Sequence, residues 1–157
     1  MALSIRSPAF DENAEIPDKF TKDGGNVSPE LTWSSVPEGT RSFALVVEDP
    51  DAPSGTFRHW AIYDIPGDRM GLKQGEDVSA FGAGVNDFGN TRYDGPQPPR
   101  GHGIHHYHFR LAALDIDHVG GLSGDASAVN VWDKIQPHLI EEAETVGIYE
   151  NAMAPTG

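Results

Sequence analysis

Five of the seven histidines in this 157-residue chain fall in two short segments, which also carry carboxylates, tyrosines and clustered prolines. In the first segment, Asp49–Trp60, Asp49 and Asp51 stand at i and i+2, and Pro50 and Pro53 stiffen the backbone between and after them. Carboxylates at the end of a strand can accept the N–H protons of imidazoles and so orient them. The same tetrapeptide also suits an ordinary turn with solvated aspartates. In the second segment, Tyr93–Phe109, an extended backbone puts His105, Tyr107 and Phe109 on one face and His106 and His108 on the other. His105 beside Tyr107 pairs an imidazole with a phenol, and both can donate hydrogen bonds to an anion. His106-x-His108 suits a metal pair instead, but such a site needs a further ligand and Arg110–Leu114 supplies none. No metal and no other cofactor is therefore expected. The loop Gly95–Gly103 holds three prolines and three glycines. That combination suits close approach of backbone amides to a ligand, or a plain connection.

Other chemistry has little support. There is no Gly-x-Ser-x-Gly, His-Glu-x-x-His or Gly-x-x-x-x-Gly-Lys pattern, and no context marks Ser28, Ser34, Ser35 or Ser54 as a nucleophile. The absence of cysteine excludes a disulfide framework, a zinc–thiolate site and a thiol nucleophile. A net charge of −13 repels phosphate backbones and anionic membrane surfaces, so no nucleic-acid partner is expected. It leaves room for one local pocket that accepts a small anion. No apolar run approaches the roughly 18 residues of a membrane span, and the first residues do not read as a signal peptide. A cytoplasmic protein is the expectation, although a mature exported form would look the same.

The elements that must position these groups are mostly strands. Hydrophobic residues make up 38%, with 18 glycines and 12 prolines, which is globular composition rich in turns. Short β-type runs at Leu3–Arg6, Leu31–Ser34, Arg41–Glu48, Phe57–Ile65, Gly84–Phe88, His105–Leu114 and Glu142–Tyr149 alternate with turn clusters. One region reads as helix: Val131, Trp132, Ile135 and Leu139 fall at helical spacing between Ser127 and Ile140. Asp125 or Ser127 would cap its start, and Pro137 should kink or divide it. These elements predict a single mainly β domain over residues 1–157, a sandwich or barrel with helical decoration.

Several motifs keep their order along the chain. They are Ser28-Pro-Glu-Leu-Thr-Trp33, then Asp49-Pro-Asp-Ala-Pro53 with His59-Trp60, then Asn86-Asp-Phe-Gly89. These are followed by Tyr93-x-Gly-Pro-x-Pro-Pro-x-Gly-His-Gly-x-His105-x-Tyr107 and by Val146-Gly147-x-Tyr149. Together they resemble the phosphatidylethanolamine-binding protein (PEBP) family, in its bacterial Raf-kinase-inhibitor-like branch, nearly end to end. The resemblance implies a PEBP-like β-sandwich of two antiparallel sheets with a C-terminal helix and a small pocket at one end. In that pocket Asp49 and Asp51 would come from the first loop, with Pro53 shaping a wall. His59 and His105 would face each other, Tyr107 would add a hydroxyl, and Gly95 and Pro99 would form the rim. One position departs from the family, which usually has arginine where His106 stands. Alternation turns that side chain away from the pocket, so altered surface charge and an intact site are expected.

The implied function is capture of a small anion, such as phosphate or phosphoethanolamine, without turnover. Protonated His59 and His105 and the Tyr107 hydroxyl would donate to it, and Asp49 would orient an imidazole and favour its charged form. The alternative is a hydrolase that cleaves an ester or phosphate in the same pocket with a histidine as general base. A kinase or protease as protein partner, and a homodimer, are implied by the resemblance alone.

Overall fold

The computed structural model describes residues 2–151. Eight strands, β1 (Ser4–Arg6), β2 (Leu31–Ser34), β3 (Ser42–Asp49), β4 (Phe57–Pro66), β5 (Gly71–Leu72), β6 (Gly82–Ala83), β7 (His105–Leu114) and β8 (Leu139–Tyr149), accompany one helix, α1 (Ala128–Ile135). They form a three-stranded sheet in the order β1-β2-β5 and a five-stranded sheet in the order β6-β4-β3-β7-β8. Every pairing in both sheets is antiparallel.

The central position of β3 explains its nearly unbroken apolar run. Phe43, Leu45 and Val47 face the small sheet and pack with Ile5, Leu31 and Trp33. On the other face Ala44 lies under Ile135, and Val46 packs with Ala61 and Ala128. Alanines at these points leave room for α1 to sit close to the sheet. Each fully buried Leu, Ile or Phe in such a core stabilises by about 1.5–3 kcal/mol. On β7 the alternation expected from the sequence is present: His105, Tyr107 and Phe109 are buried, while His106 is exposed and His108 half-buried.

Three expectations need correction. Gly84–Phe88 is not a strand: the pairing stops at Ala83, and Val85 makes a single bridge to Ser127. Beyond it Asn86 Oδ1 accepts from the N–H groups of Phe88 and Asn90, which folds the chain into a turn. The helix also ends earlier than its apolar spacing suggested. Ser127 does cap it, its Oγ accepting from the Asn130 N–H at 3.1 Å. Pro137 cannot donate to the preceding turn, so the chain tightens into a 3-10 turn over Gln136–His138 and Leu139 opens β8. The last strand is accordingly three residues longer at its start than the Glu142–Tyr149 run.

Candidate functional site

Three adjacent strands end at the same rim of the large sheet. The end of β3 brings Asp49, the start of β4 brings His59, and the start of β7 brings His105 and Tyr107. With the loops after β3 and before β7 they enclose a cavity of about 280 Å³. Asp49, His59, His105 and Tyr107 form its polar side. Pro53, Pro99, Phe57 and Phe88 belong to its apolar walls, and no lysine or arginine lines it. Phe57, Phe88 and His59 pack ring against ring, with centroids 4.8–5.4 Å apart.

Asp49 and His105 are tightly joined. Asp49 Oδ2 lies 2.5 Å from His105 Nδ1, and Asp49 Oδ1 accepts from the Asp51 N–H at 2.8 Å. His105 Nε2 lies 2.6 Å from Nδ1 of His102, whose side chain reaches in from an exposed loop position. Both ring nitrogens of His105 are therefore already engaged.

His59 is held from the opposite side. Its Nδ1 is 2.8 Å from the backbone carbonyl of Asp94, an acceptor only, so Nδ1 carries the proton. The ring is 3% exposed. Burial lowers its pKa below the ordinary imidazole value, and the Asp94 carbonyl and the Asp49 charge only partly oppose this. His59 is therefore neutral near pH 7, and the expected charged donor is replaced by a neutral ring whose Nε2 is a hydrogen-bond acceptor.

Asp94 is the hub that sequence reasoning passed over. Its carboxylate is fully buried and accepts from Asn26, Asn86 and Asn90 amides at 2.9–3.0 Å, from Lys22 at 3.1 Å and from Arg92 at 3.3 Å. Burial alone would raise its pKa, but the donated hydrogen bonds outweigh that and hold the carboxyl far below the usual range. Asn86 also donates to the carbonyls of His59 and Arg92, so the knot ties the turn after β6 to β4. A loop aspartate gives no local hint of partners up to 72 residues away. The signal available was the clustering of Asn86, Asn90 and Asp94 within nine positions.

Tyr107 stands between the two histidines, edge-on to His59 at 5.3 Å and stacked on His105 at 6.4 Å between centroids. Its hydroxyl is buried and makes no well-aligned hydrogen bond among the described residues, although the Asp49 carboxylate lies close to it. Burial first, and then the nearby Asp49 charge, push the phenol pKa well up, so it remains a protonated donor.

Two of the expected site residues lie beside the cavity rather than on its wall. The Asp51 carboxylate turns outward, where Oδ2 accepts from both the backbone N–H and Nδ1 of His106 at 2.8 Å. His106 thus sits on the outer face and clamps the first loop to β7. Gly95 is buried against the chain at Phe20–Thr21, and its N–H donates to Asn26 Oδ1 at 2.7 Å. A Cβ there would stand 1.9 Å from the Phe20 carbonyl oxygen, so glycine is required by the packing. Of the nearby cations, Arg58 pairs with Glu48, and Lys22 and Arg92 with Asp94, while Arg100 is exposed. Among the described residues no cluster of three or more histidines and carboxylates has metal-holding geometry.

Fold and site together define a two-sheet β protein with a small polar pocket where the strands of one sheet end. A family model described as phosphatidylethanolamine-binding protein matches residues 6–150, and the chain belongs to that family. An Aquifex aeolicus protein named UPF0098 protein is 42% identical over 152 residues, covering 94% of this chain and 88% of its own. The crystal structure of Escherichia coli YbcL, described as a member of the mammalian PEBP family, matches with a TM-score of 0.89 at 31% identity. That match covers 96% of this chain and 99% of YbcL. A Mycobacterium tuberculosis relative named putative lipoprotein LppC is 38% identical over 148 residues, 94% of this chain and 72% of its own.

Proposed function

We propose that this protein captures a small oxyanion, phosphate or a phosphorylated head group, in the cavity between His59, His105 and Tyr107. The observation that carries this reading is the Tyr107 hydroxyl, a buried donor that makes no well-aligned hydrogen bond among the described residues. A buried donor left unsatisfied costs about 1–3 kcal/mol, and a ligand oxygen would relieve that cost. Asp49 orients His105, and the Asp94 knot holds His59. Asp51 and Gly95 shape the cavity from behind, one through His106 and the other by close backbone packing. Isothermal titration with phosphate and with phosphoethanolamine tests the reading, beside a Tyr107→Phe variant. Saturable binding by the wild type that weakens at least about tenfold in the variant is the expected result. A folded wild type that binds neither ligand sinks it.

One observation favours a second reading, a hydrolase. The chain of contacts from Asp49 through His105 to His102 has the form of an oriented general base. Ser54 lines the same cavity. Turnover of a chromogenic ester or phosphate, abolished in His105→Ala, is the result that would establish it. As for location, no helix among the described residues is long and apolar enough to cross a membrane. We favour the cytoplasm, and the lipoprotein name of the Mycobacterium relative supports export as the alternative. Docking on a kinase or protease rests on family membership.

A further inference from the structure

The polar groups of the cavity have unequal hydrogen-bonding needs. His105 is saturated, with Nδ1 on Asp49 and Nε2 on His102. His59 uses its Nδ1–H on the Asp94 carbonyl, and Nε2 has no partner among the described residues. The groups facing that ring are Asp49 from β3, the Asp94 and Gly95 backbone together with the Asp94 charge from the loop before β7, and His105 and Tyr107 from β7, with Phe57 and Phe88 alongside. None of these supplies a fixed positive charge; Lys22, Arg58 and Arg92 are paired elsewhere, and Arg100 is exposed outside the cavity wall. The wall thus presents one orphan donor, Tyr107, beside two acceptors, the Asp49 carboxylate and the bare nitrogen of His59.

A fully deprotonated anion offers lone pairs only. It would satisfy Tyr107 but would set its remaining oxygens against Asp49 and His59 Nε2, and in a low-dielectric site an unmatched pair of acceptors is costly. An oxyanion that still carries one P–OH resolves the mismatch: its P=O oxygens accept from Tyr107 and its hydroxyl donates to the His59 nitrogen or to Asp49. A single negative charge also meets less repulsion from Asp49 than a double one.

We propose that the cavity selects oxyanions that keep an acidic P–OH, namely inorganic phosphate and phosphate monoesters as monoanions, over phosphodiesters and sulfate. The inference rests on the anion-binding reading above and narrows it: the phosphate of an intact diester lipid head group has no P–OH, whereas that of phosphoethanolamine does as a monoanion. Monoesters lose their second proton near pH 6, so their affinity falls as pH rises above that value.

Titration of the wild-type protein at about pH 6 and pH 8 with four probes tests this: inorganic phosphate, phosphoethanolamine, glycerophosphoethanolamine and sulfate. The expected result at pH 6 is that phosphate and phosphoethanolamine bind at least about tenfold tighter than the diester and sulfate, a difference of about 1.4 kcal/mol. Neither sulfate nor the diester changes its protonation across this range, so their pH dependence reports protonation of the protein alone. Sulfate or the diester binding within about threefold of phosphate overturns the selectivity and leaves anion binding standing. Binding by none of the four removes both. In a His59→Gln variant shown to be folded, the amide can offer a donor where the nitrogen was bare, and the gap between phosphate and sulfate narrows. An unchanged gap overturns the assignment to His59.

Discussion

Asp49 Oδ2 and His105 Nδ1 lie 2.5 Å apart, on the neighbouring strands β3 and β7, with both side chains almost sealed from solvent. A contact this short between a buried carboxylate and an imidazole fixes the ring orientation, and with it the tautomer available to anything in the cavity. It also makes Asp49 the group that orients His105 at the cavity wall.

This pair should be visible in solution. The Nδ1 proton of His105 is shielded from water and strongly hydrogen-bonded, so a far-downfield imidazole proton resonance is expected in the wild type. Asp49→Asn should abolish it while the dispersed amide spectrum persists. Its survival in the variant would place the proton elsewhere.

Tyr107→Phe should separate stability from binding. Removing an unsatisfied buried hydroxyl relieves a desolvation cost, so the variant should gain about 1 kcal/mol in denaturant unfolding. Its phosphate affinity should fall. A variant that loses stability instead would mean that the hydroxyl is satisfied within the protein.

The Asp94 carboxylate gathers five side-chain donors. Asp94→Ala leaves Lys22, Arg92 and three asparagine amides without their common acceptor. A loss of about 3–5 kcal/mol is expected, as for other broken buried charge pairs. Chemical denaturation measures it, and a loss below about 1 kcal/mol would show the knot to be dispensable.

Two groups push stability in the same direction as pH falls. The pKa of folded His59 lies below the ordinary value of 6.5, so below that pH the unfolded chain takes up a proton that the folded one refuses. The folded pKa of Asp94 lies below the ordinary carboxylate value of 3.8, so its contribution is present above that pH and is lost in stronger acid. The melting temperature should therefore hold steady from about pH 8 to 7 and fall in two stages below, the first through the histidine range and the second below the carboxylate value. Asp94→Asn should shrink the second stage, to which Asp51 and Glu76, also held below their ordinary values by hydrogen bonds, still contribute. A melting temperature that rises on acidification through the histidine range would contradict the neutral assignment of His59.

Gly95→Ala tests close packing at the rim. The added Cβ would meet the Phe20 carbonyl oxygen at 1.9 Å, and backbone on both sides leaves little room to yield. A destabilisation of about 1–3 kcal/mol is expected, read from thermal unfolding.

What the sequence revealed follows from the range of the forces involved. Strands β2 and β7 were legible to the residue because alternation and flanking turns are local signals. The split of His105 and Tyr107 from His106 and His108 followed from the same period of two. The two-residue strands β5 and β6 carry no period at all and form only because the neighbouring strands offer them partners. Leu139 matched a helical stripe, yet it entered β8 because Pro137 interrupts the helix two residues earlier. At the site, residue types and cavity neighbours were readable, whereas charge states were not. The neutrality of His59 depends on burial outweighing the Asp94 carbonyl and the Asp49 charge, and the saturation of His105 on a loop histidine three positions away, neither of which is written in spacing.

The outer edge of β8 is guarded in two ways. Its second half is covered by the chain at 13–16, where Asn13 and Ile16 donate to Val146 and Ile148, and Ile148 donates to Ala14. Its first half lies beyond that cover, and Glu142 and Glu144 stand exposed there. A second molecule laid edge to edge along that half would set rows of glutamate against one another, a clash that an already acidic surface amplifies. Edge-to-edge pairing of two molecules along that half is thereby disfavoured.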